Sequence, residues 1–114
     1  MLKDDLVRLR HILDAAQKAV AFTRGRVQNE LSSDEMLSLS LVRLLEVIGE
    51  AAKALSPELY AAHPHIPWKK MSGMRDRLIH GYFDVNLDVV WETVTEDLPP
   101  LIAALEQLVS KENF

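Results

Sequence analysis

The run Arg75-Asp76-Arg77-Leu78-Ile79-His80-Gly81-Tyr82 gathers two guanidinium groups, a carboxylate, an imidazole and a phenol into eight residues. Arginine offers a permanently charged planar fork that matches phosphate oxygens, and histidine gains and loses a proton near neutral pH. Together they suit phosphodiester chemistry on RNA. In such a site His80 moves protons and Arg75 stabilises charge on the phosphoryl oxygens.

Spacing constrains how these groups can meet. Asp76 precedes His80 by four positions, about 40° away around a regular helix, where its carboxylate could hold one imidazole nitrogen. Gly81 predicts a helix end, which would set His80 beside exposed carbonyls that favour the imidazolium. Arg75 precedes His80 by five positions, about 140° around the same helix, so a straight helix does not aim both at one atom. Either the helix loosens near Gly81, the arginine bends round, or a second chain completes the site. Arg75 also has a plainer fate open to it, a salt bridge to Glu50 or Asp76.

Around this pair, Lys70 and Arg77 are candidates for positioning phosphate, or are simple surface charges. Glu50 is the distant carboxylate best placed to face the motif, or equally a surface charge. Tyr82 is a substrate contact or a modification target, or a packing ring that keeps its hydroxyl in water. His63 and His65, spaced i, i+2 around Pro64 in a chain without cysteine, make a poor zinc set, so no metal site is expected. No Gly-rich phosphate loop or paired metal carboxylates occur, and no cofactor is implied.

The elements that must position these residues read as helices. Leu6, Leu9, Leu13, Ala16 and Val20 form a helical stripe that predicts a first helix over Lys3–Thr23, stopped by Gly25. Residues 24–32 read as a polar connection, and Ser33 as an N-cap for a second helix over Asp34–Leu55. Gly49 lies inside that helix, where it costs up to about 1 kcal/mol relative to alanine, so close helix packing is the expected compensation. Ser56-Pro57 ends this helix or opens a short new one. Pro64 and Pro67 prevent continuous helix over residues 61–68 and deliver the chain to Trp68, which like Trp91 is expected in the core. A third helix should run from Lys69 or Ser72 to Ile79, and a fourth from Leu87 to Val109, broken or kinked after Asp97 by Pro99-Pro100. No strand-period segment is evident. The reading is all-α: an up-and-down four-helix bundle, with a short extra helix or loop before the motif helix, as a single domain over residues 1–114.

Composition bounds the function. Apolar residues make up 48% of the chain, too many for disorder, and cysteine is absent, which removes disulfides and thiol nucleophiles. No apolar run is long enough for a membrane span, and the charged N-terminal residues do not form a secretory signal, so a cytoplasmic protein is expected. The net charge of −4 argues against broad attraction to nucleic acid. Yet residues 63–80 hold Lys69, Lys70, Arg75 and Arg77 against Asp76 alone. A local basic site on an acidic body fits a confined phosphate pocket or a docking patch for an acidic partner. The wide apolar stripes of the second and fourth helices leave room for a homodimer face.

Arg75, four residues, His80, one residue and Tyr82 together resemble the signature of the HEPN superfamily as it occurs in HepT-like toxins. The blocks Leu45–Ala52, His63–Trp68, Gly73–Asp76, His80–Phe83, Val90–Val94 and Asp97–Pro99 extend the resemblance over nearly the whole chain. It implies an all-α HEPN bundle that dimerises and sets two motifs beside a shared cleft. It also implies metal-independent ribonuclease activity on tRNA or mRNA, leaving a 2′,3′-cyclic phosphate, in a type VII toxin–antitoxin pair. Arg75 and His80 take the positions of the family's catalytic pair, and Asp76 that of its polar residue, where many members carry Asn. Tyr82 takes the position of the phenol that a MntA-like nucleotidyltransferase antitoxin adenylylates. The rival reading is a HEPN bundle without catalysis, serving as a scaffold or as a nucleotide- or RNA-binding module.

Overall fold

Helical periodicity in the first twenty-odd residues becomes a single rod, α1 (Lys3–Thr23), in a computed structural model that describes residues 1–80 and 84–112, with His80 described in its backbone only. Asp4 and Asp5 lie in the first turn of α1, where acidic groups complement the helix dipole. Gly25, with φ at +71°, takes the left-handed conformation that ends α1.

The connection that follows is not wholly irregular. It contains a one-turn helix, α2 (Glu30–Ser33), and the cap of the next helix falls one residue later than expected. Ser33 Oγ turns back to the Glu30 carbonyl, while the extended Asp34 accepts the Leu37 N–H at 3.1 Å and starts α3 (Glu35–Lys53). Ser56 caps α4 (Pro57–Ala62) through the Leu59 N–H, with Pro57 at the first helical position. The same serine donates its hydroxyl to the buried Asp5 at 2.5 Å, and Asp5 also accepts the Ser56 N–H at 3.0 Å. That pair of bonds ties the start of α1 to the start of α4.

Beyond the proline-containing loop, Trp68 is buried, stacks on Tyr60 with centroids 5.2 Å apart, and donates its indole N–H to the His63 carbonyl at 2.8 Å. It opens α5 (Trp68–Ser72), which Gly73 separates from α6 (Met74–Leu78). The expected third helix is therefore two short helices. A Cβ on Gly73 would sit 3.2 Å from the Lys69 carbonyl oxygen, so the break fits glycine closely. Helical structure ends at Leu78, and a short antiparallel ladder follows, β1 (Ile79–His80) against β2 (Asp84–Val85), where no strand was expected. Ile79 is extended (φ −120°, ψ 122°), and the Asn86 N–H takes the Leu78 carbonyl at 2.8 Å, diverting it from a further helical turn.

Asn86 caps α7 (Leu87–Glu92) by accepting the Val89 N–H at 3.2 Å. A π segment (Thr93–Asp97) then joins α7 to α8 (Leu98–Ser110). Here the expected kink is a widened turn: the Leu98 N–H reaches the Thr93 carbonyl, and Pro99 and Pro100, which have no N–H to donate, fall in the first turn of α8.

The protein is an all-α bundle. Its members are α1, α3, the α5–α6 pair and the α7–π–α8 rod, with α4 as the short extra helix before the motif segment. Leu9, Ile12 and Ala16 of α1 meet Leu41, Leu45 and Ile48 of α3 and Leu98 and Leu105 of α8 in one continuous core. Burial of each such leucine or isoleucine contributes about 1.5–3 kcal/mol. Among the described residues no helix is long and apolar enough to cross a membrane.

Candidate active site

Gly49 sets the geometry of the site. It is buried on the face of α3 that meets α5 and α6, and a Cβ there would stand 3.5 Å from the Met71 carbonyl oxygen and 3.7 Å from the Arg75 nitrogen. The backbone of the motif helix thus lies directly on α3, the close packing expected of this glycine. One turn earlier on α3, Glu46 extends toward the same helix. Its Oε2 is 4.0 Å from Arg75 Nε, and Arg75 Nη1 is 3.7 Å from Asp76 Oδ1.

Arg75 is consequently held by two carboxylates at long range, with 39% of its side chain exposed. Pairs of this kind orient a side chain more than they stabilise a fold. A guanidinium so placed keeps N–H donors available for an incoming phosphate. Of the two partners expected for Arg75, the structure supplies Asp76 but not Glu50. Glu50 is exposed, and Glu46 takes its place, lying three residues before Gly49, where the backbone of α3 packs against that of α5 and α6.

The expected alignment of Asp76 with His80 on one helical face does not occur. α6 stops at Leu78, and His80 enters the ladder paired with Asp84. Asp76 remains on the helix with a largely exposed side chain and turns to Arg75. Arg75 and His80 therefore do not share a regular helix: helical structure gives way two residues before His80, earlier than the end expected at Gly81. Gly81 and Tyr82 lie outside the described residues, as does the His80 side chain.

Lys70 and Arg77 point to a different anchor from Arg75. Lys70 Nζ lies 3.0 Å from Asp97 Oδ1, and Arg77 Nη2 lies 3.9 Å from Asp97 Oδ2. Asp97 closes the π segment, so the wide turn places a carboxylate between the basic residues of α5 and α6. Both Glu46 and Asp97 escaped the sequence reading as site residues. The proximity of Glu46 to Gly49, and of Asp97 to the proline pair, were the available signals. His63 and His65 pack edge to face at 6.1 Å, and among the described residues no group of three or more histidine or acidic side chains could hold a metal ion.

Comparison with known proteins shows the family. The family described as ribonuclease HepT-like matches residues 12–108, which span both α3 and the motif segment. A protein of Caldanaerobacter subterraneus subsp. tengcongensis named "Putative RNase" is 38% identical over 92% of this chain and 94% of its own length. One of Thermococcus cleftensis, named "Probable ribonuclease HepT", is 40% identical over 88% of this chain and 91% of its own. No solved structure matches the chain. With Gly49, Arg75 and His80 all inside the matched span, the chain belongs to the HepT-like ribonuclease family of the HEPN superfamily.

Proposed function

We propose that the protein is an endoribonuclease that needs no metal ion. In the reaction an RNA 2′-oxygen attacks the adjacent phosphorus and the bond to the 5′-oxygen breaks. The 2′-hydroxyl gives up its proton and the leaving 5′-oxygen receives one, with His80 carrying protons in this exchange. Arg75 binds the non-bridging oxygens, whose charge grows in the transition state. The products are a 2′,3′-cyclic phosphate and a 5′-hydroxyl. The observation that carries this reading is the half-exposed Arg75, oriented by Glu46 and Asp76 within a chain of the HepT-like family.

The same reading pairs the protein with a nucleotidyltransferase antitoxin. Adenylylation of Tyr82, two residues beyond His80, would add bulk and negative charge beside the RNA path and exclude the substrate. It also makes the active form a homodimer. Met36 and Leu39, 82% and 61% exposed on α3, supply apolar surface on the helix that carries Glu46. End-group analysis of RNA cleaved in excess chelator tests the chemistry: cyclic phosphate ends are expected, and 3′-hydroxyl ends would contradict it. Mass spectrometry after co-expression with the antitoxin tests the control, with the adenylyl group expected on Tyr82; the group on another residue would overturn it.

A further inference from the structure

A recess lies beside the motif helices, between α5–α6 and α8, with a volume of about 300 Å³. Its inner wall includes Met71 and Met74, each only 1% exposed, and Pro67 and Pro100 also border it. The exposed prolines present rigid apolar surface to a flat ring, with the polarizable methionines packed directly beneath, and a volume near 300 Å³ is at the small end of ligand pockets. Leu101 and Ala104 of α8 add to the apolar wall, and Lys70, Glu96, Asp97 and His65 are its polar residues. Asp97 is occupied by Lys70 and Arg77, whereas Glu96 is exposed and has no ion-pair partner among the described residues.

We infer that this recess is a nucleobase subsite for the RNA substrate, and that it selects guanine. The inference rests on the ribonuclease reading for the identity of the ligand. An apolar wall suits the face of a base. A carboxylate at the rim accepts N–H donors and repels carbonyl oxygens. Guanine presents N1–H and N2–H side by side, matching the two oxygens of Glu96, while Lys70 can donate to O6 or N7 on its other edge. Uracil sets its one ring N–H between two carbonyls and meets the same carboxylate badly. Lys70 lies at the edge of the recess, where its ammonium also suits a phosphate flanking the seated base.

The chain has four methionines, Met1, Met36, Met71 and Met74, so methyl-labelled protein reports on the recess directly. Titration with guanosine 5′-monophosphate should shift the Met71 and Met74 methyls and leave Met36 unmoved, with uridine 5′-monophosphate binding about tenfold more weakly or worse. Ala104→Phe, which fills the recess, should abolish both shifts; Glu96→Gln, at an exposed position, should remove the preference for guanine. Methyls of Met71 and Met74 that ignore every nucleotide would overturn the subsite while leaving the ribonuclease reading intact. Shifts at these methyls in a protein that cuts no RNA would keep the subsite and remove that reading instead.

Discussion

Arg75 reaches from α6 to Glu46 on α3, its Nε 4.0 Å from the carboxylate, while Asp76 stands 3.7 Å from the opposite end of the guanidinium. The two contacts set the direction of the guanidinium without saturating its donors. Glu46 is therefore a positioning residue for the proposed chemistry. Glu46→Ala is expected to lower the RNA cleavage rate about 10- to 100-fold, the scale of effect that a displaced charged group produces. Because the pair is partly exposed, the variant should lose under about 1 kcal/mol of stability in denaturant titration. A Glu46→Ala protein that cleaves at the wild-type rate would remove this role.

Gly49 gives a contrast between two substitutions. A Cβ at 3.5–3.7 Å from the backbone of α5 and α6 is in ordinary van der Waals contact, and alanine gains up to about 1 kcal/mol of helix propensity. Gly49→Ala should match or exceed the wild type in thermal stability. Gly49→Val extends branches into the motif backbone and should cost about 1–3 kcal/mol through overpacking. Its cleavage rate should fall more than its stability accounts for, since Arg75 moves with the helix. Equal stabilities for the two variants would show that α3 and α6 are not in close contact.

Asp34 links the second connection to pH. Its hydrogen bond to Arg26 and its capping of α3 hold its carboxyl below the usual range. A carboxyl lowered in this way contributes stability above its unfolded value, near 4, and that contribution is lost as pH falls through the lower folded value. Asp34→Asn keeps a capping side chain but not the charge. The variant should melt below the wild type at pH 7, and the gap should close as the pH falls below about 4. A gap that stays constant across that range would contradict the linkage.

The long elements could be read from sequence because each depends on local pattern. Leu6 to Val20 defined α1 to its observed ends, and Ser56-Pro57 opened α4 as the cap chemistry requires. Pro99-Pro100 foretold a disturbance in the fourth helix, but it falls at Thr93–Asp97 rather than after Asp97, because the carbonyls that lose the two proline N–H donors lie a turn earlier. The site was less legible. Arg75 could be singled out, but Glu46 becomes its partner only through the packing of Gly49 on α6, a long-range relation that no local spacing encodes. The ladder at Ile79–His80 was hidden for the same reason: its hydrogen bonds come from Asp84–Asn86, while the local run Arg75–His80 reads as helix.

The central claim is that Arg75 and His80 act together on an RNA phosphodiester without metal. The direct measurement is single-turnover cleavage of a labelled RNA in excess chelator by the wild type, Arg75→Ala and His80→Ala, each first shown to be folded. The wild type should cut, and Arg75→Ala should lose about 10²- to 10³-fold, the scale of removing a transition-state oxyanion donor. Loss of the general acid–base in His80→Ala should cost about 10²- to 10⁴-fold. Wild-type rates in either variant, or cleavage that the chelator abolishes, would contradict the account.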